Sequence, residues 1–167
     1  MLDAQKIIEM FDLQPLPEEG GYYNETYRSN EIIPKDVLPT RYSGSRSYGT
    51  AIYYLLTPET KSLMHRVNSD EMFHFYLGDP VEMLQLFADS TGKILTLGTD
   101  ILHGEHVQIL VSRQTWQGMS LKKGGKFALM GTTITPGFEF DDFEIGKRKD
   151  LLEKYPDFID QILILTK

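Results

Sequence analysis

From Ser47 to Thr133 the chain is a succession of short apolar, aromatic and β-branched runs with no helical period between them. The runs are Ser47–Leu56, Ser62–Val67, Met72–Leu77, Val81–Phe87, Lys93–Leu97, Val107–Val111, Gln117–Leu121 and Phe127–Thr133. Turn residues separate them, notably Thr57-Pro58-Glu59-Thr60, Gly78-Asp79-Pro80, Ser90-Thr91-Gly92 and Lys122-Lys123-Gly124-Gly125. Many short strands at turn spacing predict an all-β sandwich or barrel. In Ser47–Leu56 apolar residues occupy both alternating faces, so both are expected to be covered.

The flanks read differently. Leu2, Ile7, Ile8, Met10 and Phe11 form a helical stripe behind Asp3, a candidate N-cap, which predicts a short helix over 3–12. Pro15 and Pro17 forbid its continuation. Gly20–Arg28 reads as a strand opened by two glycines, and 30–44 as a loop long enough for a lid, an arm or a mobile insert. Residues 147–154 read as helical, and Pro156 begins a second helical turn that ends in Ile162–Leu165. No repeat or linker interrupts the chain, so residues 1–167 are expected to form one domain with short helices at both ends.

Composition narrows the function classes. Asp and Glu number 24 against 17 Lys and Arg, for a net charge of −7. Such a surface repels phosphate backbones, so no nucleic-acid partner is expected. There is no cysteine. Disulfides, thiolate metal sites and thiol catalysis are excluded, and a reducing cytoplasm is suited. No apolar run approaches a membrane span, and the N-terminus does not read as a signal peptide. The expected location is cytoplasmic, with no membrane partner.

The run Ser62–Pro80 places His65, Glu71 and His74 within ten residues. Two imidazoles and a carboxylate can hold a divalent metal or act as general acid and base. Strand alternation puts Glu71, Phe73 and Phe75 on one face and Met72, His74 and Tyr76 on the other. If Glu71 points into a barrel, His74 points out of it and is an interface or satisfied core histidine. His65 can approach Glu71 across the intervening turn. A second run, His106–Gln117, leads a strand into the only tryptophan, Trp116. Trp116 beside an amide suits stacking on a flat or sugar-like ligand, or else plugs the barrel. His103 and His106 are expected in an exposed turn. Glu139, Asp141, Asp142 and Glu144 alternate with Phe138, Phe140, Phe143 and Ile145, which reads as a solvated acidic edge outside the barrel over apolar anchors. No phosphate loop, dinucleotide fingerprint or nucleophile elbow is present.

Four runs in order carry a family resemblance: Pro17–Ser29, Thr50–Leu56, His65–Gly78, and Thr115-Trp116-Gln117 followed by Pro136–Phe143. Together they resemble the cupin superfamily, in particular its uncharacterised fifth family. The resemblance implies a double-stranded β-helix, a jelly-roll barrel that is usually a homodimer through strand exchange near the N-terminus. A face bearing Tyr48, Tyr54 and Met72 is expected to be covered by the second copy. Metal-binding cupins supply two His and one Glu from their first motif and one His from the second. Here His65 and Glu71 fall on that pattern, Met64 or Arg66 stands beside them, and Gln117 stands near the second-motif His. Arg is no ligand, Met suits hard ions poorly and Gln is weak. No cofactor is therefore expected; a divalent metal, if held, would use His65, Glu71 and Gln117. The branch is also similar to metal-free sugar-nucleotide epimerases, in which a His base works with a Tyr or acid partner.

These readings converge on a small polar ligand, a sugar or nucleotide derivative, lined by His65, Glu71, Phe73, Trp116 and Gln117. His65 would be the base and Glu71 its orienting partner, for metal-free epimerisation or isomerisation. A metal-dependent oxygenase or isomerase, and a binding module without chemistry, remain as alternatives that residues alone do not separate.

Overall fold

The computed structural model describes residues 2–167. In chain order the elements are α1 (Ala4–Met10), β1 (Gln14–Pro15), β2 (Tyr22–Arg28), β3 (Ile32–Ile33), β4 (Arg46–Ser47), β5 (Thr50–Leu56), β6 (Ser62–Arg66), β7 (Asp70–Gly78), β8 (Val81–Leu86), β9 (Gly92–Leu97), β10 (Gln108–Val111), β11 (Trp116–Leu121), β12 (Ala128–Thr135), β13 (Glu144–Ile145), α2 (Arg148–Lys154) and α3 (Ile159–Ile164). One sheet runs β1-β2-β5-β12-β7-β10 and faces a second that runs β13-β6-β11-β8-β9. Every pairing between these strands is antiparallel. The result is the double-stranded β-helix with helices at both ends.

Alternation along the strands divides the apolar residues among three layers. Tyr54, Leu56, Phe73, Phe75, Met83, Met119 and Met130 meet between the sheets. Leu55 and Leu129, on the opposite face of the larger sheet, pack with Ile7 and Leu13 under α1. Met64, Leu84 and Leu86 leave the smaller sheet outward to meet Leu151, Tyr155, Ile162 and Leu165 of the C-terminal segment. The terminal helices thus cover the faces that the strand pattern leaves apolar. Asp3 caps α1 by accepting from the Lys6 backbone N–H at 3.0 Å.

Three expectations need correction. Ser47–Leu56 is not one strand: Ser47 pairs with Ile32 in a separate ribbon, and β5 begins only at Thr50. The 30–44 segment is anchored near its C-terminal end. Tyr42 is buried, its hydroxyl lies 3.0 Å from Ser69 Oγ, and Arg41 Nε donates to the Asn68 carbonyl. Tyr54 does not belong to an outer face; it is buried between the sheets and its hydroxyl donates to the Gly20 carbonyl at 2.8 Å. Tyr48 is exposed and Met72 is half-buried.

A β-bulge sets the geometry that follows. The register between β11 and β6 steps from Gln117↔His65 to Met119↔Ser62, so β6 holds one residue more than its partner. Without the bulge Ser62 and His65 would point to opposite faces. With it both face the barrel interior while Met64 joins the outer layer. Gly118 answers Met64: a Cβ there would lie 2.8 Å from the Met64 sulfur.

Candidate active site

A cavity of about 290 Å³ opens between the two sheets. His65 reaches it from β6 and Glu71 from β7, so the two groups approach from opposite sheets. Both are buried, and Gln117 behind them is fully buried. The alternation expected for β7 holds: Glu71, Phe73 and Phe75 are buried inward, while His74 lies on the outer face between Thr133 Oγ1 at 2.8 Å and Gln108 Nε2 at 3.1 Å.

The hydrogen bonds define the state of the imidazole. His65 Nδ1 lies 2.8 Å from the Leu63 carbonyl oxygen. A carbonyl only accepts, so Nδ1 carries a proton, and in its neutral form the ring presents its lone pair at Nε2. The Gln117 amide nitrogen donates to that lone pair at 3.2 Å and to Glu71 Oε2 at 2.6 Å. The Leu63 carbonyl therefore orients His65, and the hydrogen-bonded link from His65 to Glu71 runs through Gln117. Phe143 stacks on the ring with centroids 5.2 Å apart, which confines its tilt.

Burial pushes the Glu71 carboxyl up to about 7. Removal from water is the largest influence, since the charged form loses most by it. His65 opposes the rise, Glu19 adds to it, and hydrogen bonds from Gln117 and Thr132 oppose it. Near neutrality the cavity therefore holds, across from the His65 ring, a carboxyl able to carry a proton.

Glu19 completes this arrangement and is a residue that sequence reasoning left out of the site. Its Oε1 accepts from Ser62 Oγ at 2.8 Å and its Oε2 lies 3.7 Å from His65 Nε2. Glu19 sits on the turn before β2, whose carbonyl accepts the Leu63 N–H at 2.9 Å. The turn can lie this close to the strand because Gly20, at φ +99°, has no Cβ; one would meet the Lys61 carbonyl oxygen at 2.3 Å. The only signal in the sequence was the Pro-Glu-Glu-Gly-Gly run itself.

At the rim Arg28 spans Glu25 and Glu139. Its Nε and one terminal nitrogen donate to Glu25 at 3.0 and 2.8 Å, and the other terminal nitrogen donates to Glu139 at 2.7 Å. The segment expected to be a solvated acidic edge outside the barrel in fact lines the cavity through Phe138, Glu139, Phe140 and Phe143. Asp142 is buried against Arg46 at 2.7 Å. Phe138 and Phe143, both half-buried, bring Glu139 to the wall and Asp142 inward, while Phe140, Asp141 and Glu144 stay exposed.

Of the predicted site residues, the structure brings together His65, Glu71 and Gln117. Trp116 is not among the residues lining the cavity. It packs with the cluster under α2 and α3, with the Arg66 guanidinium 4.5 Å above its ring. Neighbouring strand residues point to opposite faces, so an inward Gln117 turns Trp116 outward. Phe73 belongs to the core between the sheets and does not line the cavity either. His103 is exposed and its Nδ1 lies 2.6 Å from Asp100 Oδ2.

The donor set does not fit a transition metal. Among the described residues no group of three or more His, Cys, Asp or Glu is placed to hold one. The Gln117 amide directs its N–H groups, not its oxygen, at both His65 and Glu71, filling the position from which they would share a cation.

Residues 5–146 match the family model described as cupin superfamily (DUF985). An uncharacterised protein of Saccharomyces cerevisiae, YML079W, is 28% identical over 143 residues, covering 81% of this chain and 71% of its own length. Protein SO0799 of Shewanella oneidensis superposes with a TM-score of 0.87 at 30% identity, over 100% of this chain and 99% of the other. A protein of Leishmania major gives 0.88 at 29% identity, over 99% of each. Oxalate decarboxylase of Bacillus subtilis, at 12% identity and a TM-score of 0.52 over 92% of this chain and 37% of its own, shares the fold.

Proposed function

We propose that this chain, which belongs to the cupin superfamily family DUF985, binds a small polar ligand of the sugar or nucleotide kind in its barrel and isomerises it by proton transfer without a metal. The observation that carries this reading is the unprotonated Nε2 of His65, engaged by the Gln117 amide, in a ring oriented by the Leu63 carbonyl at Nδ1 and lining a cavity whose other wall bears Glu71. A carbon acid beside a carbonyl needs a base on one side and a proton donor for the developing enolate oxygen on the other. His65 takes the C–H proton, and the electron pair passes to the carbonyl oxygen, which Glu71 protonates. His65 then gives its proton to the former carbonyl carbon of the enediol while Glu71 takes the proton of the neighbouring hydroxyl, which regenerates a carbonyl one position along. Glu19, 3.7 Å from His65 Nε2, stabilises the imidazolium formed in between.

The assembly belongs to the same reading. Tyr27, Ala51, Thr133, Met72 and Leu110 form one row across the outer face of the larger sheet, with Tyr27 and Leu110 about half exposed. We expect a second copy of the chain to cover that row. The net charge and the lack of cysteine support a cytoplasmic protein with no nucleic-acid partner.

Incubation in deuterium oxide with a panel of aldoses, ketoses and their nucleotide-linked forms tests the chemistry. Proton NMR is expected to show loss of the C–H signal beside the carbonyl, unaffected by EDTA and abolished in His65→Ala. Exchange that EDTA abolishes would instead support a metal-dependent isomerase. Saturable binding with no exchange would leave a binding module.

A further inference from the structure

The cavity wall carries three carboxylates, Glu19, Glu25 and Glu139, and the proton-holding carboxyl of Glu71, against one permanent cation, Arg28, and one imidazole, His65. Arg28 is the group that would ordinarily recognise a phosphate, through its planar fork. Here the fork is already committed to Glu25 and Glu139, and a further N–H donates to the Phe138 carbonyl at 3.1 Å. A phosphate entering at the rim would have to displace a carboxylate and then face the remaining ones. Field lines from like charges on an apolar wall are poorly screened, so the cost falls on any anion.

The polar groups on the same wall are mostly hydrogen-bond acceptors. Glu19 Oε2 lies 3.7 Å from the Nε2 of His65, so two acceptors face one another there. A ligand that satisfies such a wall must donate hydrogen bonds. Between the polar groups stand Tyr23, Ile52, Ile134, Phe138 and Phe143. Aromatic and aliphatic surface of this kind packs against the C–H faces of a ring while its hydroxyls meet the carboxylates. The volume, about 290 Å³, lies at the small end of ligand pockets, which run from about 300 to 1,000 Å³. It encloses one ring rather than a sugar joined to a nucleotide.

We infer that the site takes an uncharged, unphosphorylated monosaccharide through its hydroxyl donors and discriminates against sugar phosphates and nucleotide sugars. This rests on the reading of the barrel cavity as the ligand site and replaces its broader ligand class with one member. The Arg28–Glu25–Glu139 cluster acts as the specificity element, a cation neutralised so that it does not attract anions.

Calorimetric titration with glucose, mannose, fructose, ribose and xylose, each paired with its monophosphate, tests this. At least one neutral sugar is expected to saturate the site, and its phosphate to bind weaker by about tenfold or more, since like-charge juxtaposition is strongly unfavourable. Glu25→Gln and Glu139→Gln, which each free part of the Arg28 fork, are expected to narrow that gap several-fold without weakening the neutral sugar to the same degree. A phosphate that binds as tightly as its neutral partner in the unaltered protein overturns the inference, as does the absence of binding by every neutral sugar. Phosphate binding with deuterium exchange intact overturns this inference alone. Selective binding of a neutral sugar with no exchange instead removes the proton-transfer reading and leaves the selectivity standing.

Discussion

Gln117 and Glu71 stand on opposite sheets, yet the Gln117 amide nitrogen reaches Glu71 Oε2 at 2.6 Å and ties it to His65 at 3.2 Å. Each of its two N–H groups has one acceptor, so the amide sets the distance between base and acid. Gln117→Leu keeps the volume and removes both donors. Leaving buried polar groups unsatisfied costs about 1–3 kcal/mol. Urea unfolding is expected to show a loss of that order, with a larger fractional loss of deuterium exchange than of ligand affinity.

Glu71 makes stability depend on pH with a definite sign. Its carboxyl rises from 4.5 unfolded to about 7 folded, so between those values the folded state holds a proton that the unfolded state has released. Stability therefore falls as pH rises from about 4.5 to about 7, and the full penalty applies above that. At about 1.4 kcal/mol per pH unit the loss is about 3 kcal/mol. Glu71→Gln removes the ionisation. The variant is expected to exceed the unaltered protein in urea midpoint at pH 8, with the advantage shrinking towards pH 5.

The buried pair Arg46–Asp142 joins the 30–47 segment to the segment that lines the cavity. Both side chains are 2% exposed, and Asn68 Nδ2 adds a third hydrogen bond to Asp142 at 3.0 Å. Asp142→Ala leaves the Arg46 charge buried without its counter-ion, which costs about 3–5 kcal/mol. Amide hydrogen exchange is expected to speed up over Phe138–Phe143 beyond the global loss. Uniform exchange across the chain would show that the pair stabilises the barrel without holding the cavity wall.

The row of Tyr27, Met72 and Leu110 predicts the assembly. Light scattering at micromolar concentration is expected to give twice the chain mass of 19.2 kDa, and Tyr27→Lys with Leu110→Lys to shift it towards the monomer. A monomer in the unaltered protein contradicts the expectation.

Much of the barrel was legible because strand alternation and turn residues are local signals. The β7 pattern alone predicts that Glu71 faces in and His74 faces out, and burial agrees. Asp3 and the two prolines place α1 within a few residues. The site was less legible because its decisive features are not local. The bulge in β6 exists only as a mismatch with β11, so no reading of Ser62–Arg66 by itself turns both Ser62 and His65 inward. Trp116 attracted attention as the sole tryptophan, but the same alternation that brings Gln117 in sends it out. Glu19 and Glu139 reach the cavity across 46 and 74 residues of chain from His65, and only the fold brings them there.

The proposed chemistry depends most on which nitrogen of His65 carries the proton. Nitrogen-15 NMR of the labelled protein at pH 8, with the His65 resonances assigned by His65→Asn against the other three histidines, reads this directly. The Leu63 contact predicts a protonated Nδ1 and a bare Nε2. A proton on Nε2 would leave the cavity without a base and contradict the account.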